Sequence, residues 1–281
     1  MNKFKAFLTF VGFFWLLVCG FWALFSMLWG ADSRTTAAWI GLLINAWALP
    51  VWMLLRYLLP GKISGDLREP GAFAGVLLGL ALVLLADSSR GLPVHLAIYN
   101  LFVFLLYLYH LSSVAWPTMP ARETLFPDIE EMNMGGWRVA EYCRDRDIKG
   151  AIVLFLRGSY CADSRNQLHQ LHALQEELQR KKVGLVLWSV QPTDRWPHRL
   201  LAGEQYMNTL QVRQLAPPLP ELFVATNAAP ILLWPWVKDA ARPSAWLVNA
   251  EGYILWRELA ANYRTPVTAA NLRGQLFRLQ E

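Results

Sequence analysis

The stretch Leu154–Leu168, LFLRGSYCADSRNQL, joins two kinds of sequence. Gly150–Leu156 (GAIVLFL) is a continuous apolar run, the pattern of a strand buried on both faces. The residues that follow, SRNQLHQLHALQEELQRKK, set Leu168, Leu171, Leu174 and Leu178 on one stripe, which predicts an amphipathic helix. Cys161 falls at the junction. A thiol there meets the unpaired N–H groups and the positive dipole end of the coming helix, which favour a thiolate. Arg157 and Arg165 add positive charge nearby, and Asp163 works against it. From its position alone Cys161 reads in two ways, as a reactive nucleophile or as an inert buried thiol.

Working outward, Val183–Val190 (VGLVLWSV) reads as a second buried strand. Ala245–Leu259 (AWLVNAEGYILWREL) reads as a hairpin turning at Asn249–Gly252. The segment IEEMNMGGWRVAEYCRDRD, from Ile129, reads as a polar helical entry. DRWPHRLLAGEQYMNTL, from Asp194, reads as helical after its proline. TAANLRGQLFRLQ closes the chain as a helix with Leu272, Leu276 and Leu279 inward. Alternating strands and helices followed by a hairpin and a helix predict a mixed sheet covered on both faces.

The first part of the chain is a different material. Up to Trp116 there are 7 Lys/Arg and 4 Asp/Glu; beyond it there are 19 and 17. Four apolar runs predict four transmembrane helices, about 5–29, 36–58, 71–87 and 92–116. The third has only 16 uncharged residues (Gly71–Ala86), short of the roughly 20 that a spanning helix needs. The first run is too long for the apolar core of a signal peptide, and no cleavage site follows it. The expected division is therefore a helical membrane bundle over 1–116, a linker over 117–127 marked by Pro117, Pro120 and Pro127, and an α/β domain over 128–281. Lys3, Lys5, Arg56, Lys62 and Arg68 gather at the N-terminus and in the second loop, while Asp32, Asp66 and Asp87 sit at loop positions. With four spans, that bias places the N-terminus and the α/β domain in the cytoplasm, on a membrane of the bacterial inner type. Tryptophans near the run ends, Trp116 among them, suit interfacial anchoring, and the lipid bilayer is the first expected partner.

Other classes are excluded or set aside. The net charge of +5 comes without a basic stripe interleaved with aromatics, so nucleic acid is not an expected partner. No paired C-x-x-C or H-E-x-x-H motif is present, and His169 and His172 read as surface or groove residues. No metal or other cofactor is expected. Three cysteines, Cys19, Cys143 and Cys161, are too few for a disulfide framework.

RGSYCADSRNQL (Arg157–Leu168) resembles the RGSWCPxCRxQL signature of thioredoxin-fold proteins in the peroxiredoxin-like group, which includes alkyl hydroperoxide reductase and thiol-specific antioxidant. ARPSAWLVNAEGYILWRELAANYRTP (Ala241–Pro266) resembles the later segment of that group. The resemblance covers Asp128 to Leu279. It implies an α/β thioredoxin-like domain with Cys161 as nucleophile, Arg264 supporting its thiolate and Ser164 in the place of the second cysteine. It also implies a substrate groove shaped by Arg157, Gly158, Tyr160, Arg242 and a cis Pro243. Ser164 removes any dithiol cycle within the motif. Leu154 and Gly158 stand where the group has proline and threonine. A one-cysteine site would draw on an external thiol reductant, and Cys143 is a candidate resolving partner, although it also reads as a plain helix-face residue. Two functions follow: a membrane-anchored thiol oxidoreductase, or a non-catalytic thioredoxin-fold subunit that docks on a membrane protein complex. The aromatic segment Ala229–Pro243 (APILLWPWVKDAARP) serves either packing or docking.

Overall fold

The computed structural model describes residues 2–29, 33–114, 117–202, 210–223 and 228–279. Trp116, Asp32 and positions 203–209 of the expected Asp194–Leu210 helix lie outside these residues.

Four helices form the N-terminal region: α1 (Asn2–Trp29), α2 (Ser33–Leu58), α3 (Pro70–Ala86) and α4 (Leu92–Leu106), the last extended by a π-helical turn over Tyr107–Leu111. Three are long and apolar enough to cross a membrane: Lys3–Trp29, Thr36–Leu58 and Leu92–Leu111. The third expected span, α3, has 17 residues and falls short of them. It rises about 25 Å. It lies antiparallel against α2 along its whole length, because Gly71, Gly75 and Gly79 form a small-residue face that lets the backbones approach. A Cβ at Gly79 would run into the Asn45 amide nitrogen and the Gly41 carbonyl of α2. Asn45 Nδ2 donates to Val76 O at 2.9 Å across the same contact. Gly79→Ala is therefore expected to destabilise this region by roughly 1–3 kcal/mol, read as a lower thermal midpoint in detergent. An unchanged midpoint would mean that the helices part without cost.

The C-terminal part is built on one five-stranded sheet of order β5-β4-β3-β6-β7. Its strands are β3 (Gly150–Phe155), β4 (Val183–Ser189), β5 (Val212–Gln214), β6 (Ser244–Asn249) and β7 (Ile254–Leu259). β3, β4 and β5 run parallel; β6 and β7 form the antiparallel hairpin predicted from sequence, with Gly252 at φ +94° in its turn. Side chains alternate between the two faces, as a strand requires. Ile152, Leu154 and Leu187 pack on α6 (Ala162–His172), α7 (Gln175–Arg180) and α9 (Ala269–Gln275). Val153, Phe155 and Trp188 face the other core with α5 (Val139–Arg146).

Two local expectations change. The single helix after Cys161 breaks at Ala173–Leu174 into α6 and α7, yet all four of its leucines are buried, so the stripe outlasts the break. The expected helical entry at Ile129 is a hairpin, β1 (Ile129–Glu131) with β2 (Gly135–Trp137), and becomes helical only at α5. Gly135, at φ +82°, makes the turn. The proline-marked stretch is tied to the sheet: Glu123 N and Phe126 N donate to Ile254 O and Gly252 O, each at 2.8 Å, and Phe126 packs edge-on against Trp246.

The two regions meet through the α2–α3 loop. Gly61 N donates to Asn166 Oδ1 at 2.9 Å, and the Arg165 guanidinium stacks on Tyr57. Lys5 Nζ donates to Ser113 O at 3.1 Å, so the start of α1 and the end of α4 lie on the side where the sheet sits.

Candidate active site

β3 delivers the chain to a tight loop that ends at α6. Gly158 adopts φ +152°, open to glycine and strained for other residues. Gln191 holds the loop, accepting from Ser159 N at 2.7 Å and donating to Ser159 Oγ at 2.9 Å. Tyr160 donates its hydroxyl proton to Arg157 O at 3.0 Å. Cys161 is the N-cap residue of α6, with extended backbone, and its side chain makes no capping hydrogen bond. The sulfur thus sits where the sequence places it, at the helix start.

Its electrostatics differ from the expectation. Cys161 is 8% exposed. Burial and the Asp163 carboxylate push its pKa above the ordinary thiol value, against the pull of Arg157 and of the nearby Asp163 and Ser164 backbone N–H groups. A helix start lowers a thiol's pKa only when water or cations replace the solvation that burial removes. Cys161 Sγ lies 3.8 Å from Asp163 Oδ2. The Asp163 carboxyl is itself pushed up to about 7 by burial, with Arg56 opposing.

Arg264 does not meet the thiol. It is fully buried and binds the N-terminal region, donating to Glu69 Oε1 at 3.0 Å, Asp66 O at 2.9 Å, Leu67 O at 3.0 Å and Leu108 O at 3.2 Å. The cation beside the sulfur is Arg157. It is buried, donates from Nη2 to Ala228 O at 2.9 Å and stacks 4.0 Å over the Tyr263 ring, whose hydroxyl donates to Tyr107 at 3.0 Å. Ser164 neither caps α6 nor touches the sulfur through its hydroxyl: its Oγ accepts from Arg157 N at 3.1 Å and ties the loop to the helix.

Arg242 and Pro243 directly precede β6 and lie outside the wall of the cavity at Cys161. The Arg242–Pro243 bond is trans, contrary to the cis form implied by the resemblance. Arg242 N donates to Phe223 O and Ala260 N donates to Pro243 O, so the chain enters β6 extended and without a turn. Cys143 is buried in the core on the far face of the sheet, and its thiol is pushed up to about 11 by burial, which does not suit a resolving thiol.

Sequence reasoning missed the residues that the helices contribute. Arg56, at the end of α2, donates to Glu69 Oε1 at 2.5 Å and pairs with Asp163 Oδ1. Trp52 Nε1 donates to Glu69 Oε2 at 2.7 Å. Arg56, Arg264, Glu69 and Asp163 thus form a buried cluster of two cations and two anions, each side chain at most 2% exposed. A charged arginine at the foot of an apolar run was the available signal, and it reads equally well as an interfacial anchor.

A cavity of about 280 Å³ opens at the sulfur. Arg157, Tyr160, Cys161 and Asp163 line one part of it, α1 lines another, and the Ala228–Leu232 segment closes it. The start of the aromatic segment noted from sequence, Pro230–Leu232, therefore packs against α1, while Trp236 is exposed.

No protein-family model matches the chain, and no curated protein matches it by sequence. Among solved structures the chain is similar to a cysteine-to-serine mutant of peroxiredoxin 6 from Arenicola marina, at 10% identity and TM-score 0.47 over 58% of this chain and 74% of that one. It is similar to the thiol peroxidase from Chromobacterium violaceum, at 12% identity and TM-score 0.42 over 58% and 90%. It is similar to a peroxiredoxin-like protein from Aquifex aeolicus, at 7% identity and TM-score 0.40 over 59% and 91%. These likenesses fall on the C-terminal part of the chain.

Proposed function

We propose that the chain is a membrane-embedded thiol peroxidase with Cys161 as its one redox cysteine. The observation that carries the reading is the sulfur at the N-cap of α6, beside Arg157 and opening into a cavity. The Cys161 thiolate attacks one oxygen of a hydroperoxide, the O–O bond breaks, and the sulfur becomes a sulfenic acid while the other oxygen leaves as alcohol or water with the thiol's proton. An external thiol then forms a mixed disulfide, releasing water, and a second external thiol returns Cys161 to the thiol, the two external thiols leaving as their disulfide. Arg157 stabilises the thiolate; Asp163 is placed to take the thiol proton.

In this proposal all four helices cross the bilayer, α3 included, with the sheet domain on the cytoplasmic side beside Lys3, Lys5 and the second loop. The division at 1–116, 117–127 and 128–281 is part of it. A second reading, a non-catalytic docking module, draws on the burial of Cys161 and its raised pKa. One experiment separates them. Detergent-solubilised protein is treated with hydrogen peroxide, and sulfenic acid is trapped with dimedone and located by mass spectrometry. An adduct on Cys161, with peroxide consumption that depends on dithiothreitol, supports the peroxidase. No adduct, or one confined to Cys19 or Cys143, sinks it.

A further inference from the structure

We infer that the turn Ala229–Val237 (APILLWPWV) is a second membrane contact, dipping into the headgroup–acyl boundary of the leaflet that α1 enters. The sheet domain then rests on the bilayer as well as being tethered to it. The inference needs α1 to lie in the bilayer and is independent of the redox reading above. The turn carries no charged residue and holds Trp234 and Trp236. Leu232 and Trp236 are 69% and 58% exposed, so the protein leaves two large apolar side chains of the turn uncovered. One exposed apolar residue on a water-facing domain is ordinary. Two on a short uncharged turn beside an apolar helix mark a contact surface.

Position along α1 says what covers that surface. Pro230, Ile231 and Leu232 share a cavity wall with Ala6, Thr9, Phe10 and Phe13 of α1. The apolar stretch of α1, Lys3–Trp29, has 27 residues, about 40 Å at 1.5 Å per residue. A hydrocarbon core about 30 Å thick, centred on that stretch, begins about three residues in from either end. Phe10 and Phe13 therefore lie within the core. Phe10 and Phe14 are exposed on this part of the helix, and the medium that surrounds them continues onto Leu232. Charged residues return at the edge of the turn: Lys238 and Asp239 follow it, and the Arg195 guanidinium lies 5.9 Å from the centre of the Trp236 ring. Tryptophan with a cation beside it suits the headgroup level.

Backbone polarity is the usual bar to placing a turn in lipid, because an N–H without an acceptor is costly there. This turn spends its donors internally. Ala229 N donates to Lys238 O at 3.0 Å and closes the loop. Leu233 N donates to Pro230 O at 2.8 Å and Trp234 N to Ile231 O at 3.1 Å. Trp236 N and Val237 N both donate to Leu233 O, each at 2.9 Å. Pro230 and Pro235 have no N–H to satisfy. The Trp234 indole N–H, the polar atom of its side chain, donates to Ala229 O at 2.8 Å. A turn facing water gains little from this economy, since water supplies the missing acceptors.

The test uses full-length protein in phosphatidylcholine nanodiscs, with Cys19, Cys143 and Cys161 replaced by serine and one nitroxide label at a time. The labelled variants are Leu232→Cys and Trp236→Cys on the turn, Phe14→Cys on exposed α1, and Lys149→Cys. Lys149 is exposed and precedes β3, at the end of that strand opposite the Cys161 loop. Collision with oxygen, which concentrates in hydrocarbon, is compared with collision with a neutral nickel chelate, which stays in water. The oxygen-to-nickel ratio at 232 and 236 is expected to be severalfold higher than at 149 and to approach that at 14. All four positions are exposed, and if one turn variant fails to fold the other carries the same comparison. A ratio at the turn equal to that at 149 overturns the inference, because the turn then lies in water. Weak collision with both reagents overturns it as well, because a second copy of the chain then covers the turn. A water-like ratio at 14 takes α1 out of the bilayer, and the inference falls with the membrane reading. Because the thiol is absent throughout, none of these outcomes depends on peroxidase activity.

Discussion

Arg264→Met is expected to lower the unfolding free energy of the detergent-solubilised protein by roughly 3–5 kcal/mol, the loss typical of breaking a buried ion pair from one side. The substitution keeps a long apolar stem but removes the guanidinium that binds Glu69 and the carbonyl groups of Asp66, Leu67 and Leu108. Three carbonyl acceptors, that of Leu108 buried, lose a donor, and Glu69 loses one of its two cations. The bonds also join two regions, since Arg264 follows β7 while Glu69 precedes α3. The sheet domain should therefore loosen from the helices before it unfolds. Chemical unfolding followed by tryptophan fluorescence measures the loss, and limited proteolysis of the α2–α3 loop reports the detachment. Pairing Arg264→Met with Glu69→Gln should recover part of the loss, because the stranded carboxylate is then neutral. A loss below about 1 kcal/mol, the range of exposed pairs, would show that water reaches the cluster.

Asp163→Asn is expected to speed alkylation of Cys161 at pH 7 severalfold, because it removes the like charge that helps push the thiol up. In the wild-type protein burial and Asp163 both push the thiol up, so its alkylation midpoint should exceed the free-thiol value of about 8.5. The asparagine keeps the shape and drops the charge, while Arg157 and the two N–H groups remain to lower the thiol. Arg56 keeps Glu69 as a partner, so the fold should persist. The carboxyl also leaves a signature in stability. Its folded value of about 7 lies above the unfolded value of about 3.9. Between those values the folded chain holds a proton that the unfolded chain has lost. Stability therefore falls as pH rises from about 4 to about 7 and levels off above that, through this group. Asp163→Asn should flatten that stretch. Equal alkylation rates in the two proteins would mean that Arg56 already cancels the Asp163 charge at the sulfur.

What the sequence by itself determined was local. A continuous apolar run, a cysteine and a leucine stripe define β3, the loop and α6, because each is a pattern within about twenty residues of chain. The Asn249–Gly252 turn and the apolar helices are legible for the same reason. Helix breaks are less so: the stripe through Leu168, Leu171, Leu174 and Leu178 survives a break at Ala173–Leu174, so periodicity alone does not expose it. The β1–β2 hairpin is short and polar, and its period was hidden by a helix-forming segment directly after it.

The tertiary structure alone decided which charges meet. Asp163 finds Arg56 across 107 positions, and Arg264 finds Glu69 across 195. No spacing rule reaches that far, since such pairs are selected by the cost of leaving a buried charge alone and not by local backbone geometry. Resemblance placed Arg264 at the thiolate; in the fold Arg264 pairs with Glu69, and the cation acting on the sulfur is Arg157. The raised pKa of Cys161 has the same origin. A helix start is written in the sequence, but the burial that outweighs it, together with the Asp163 charge, exists only in the folded chain.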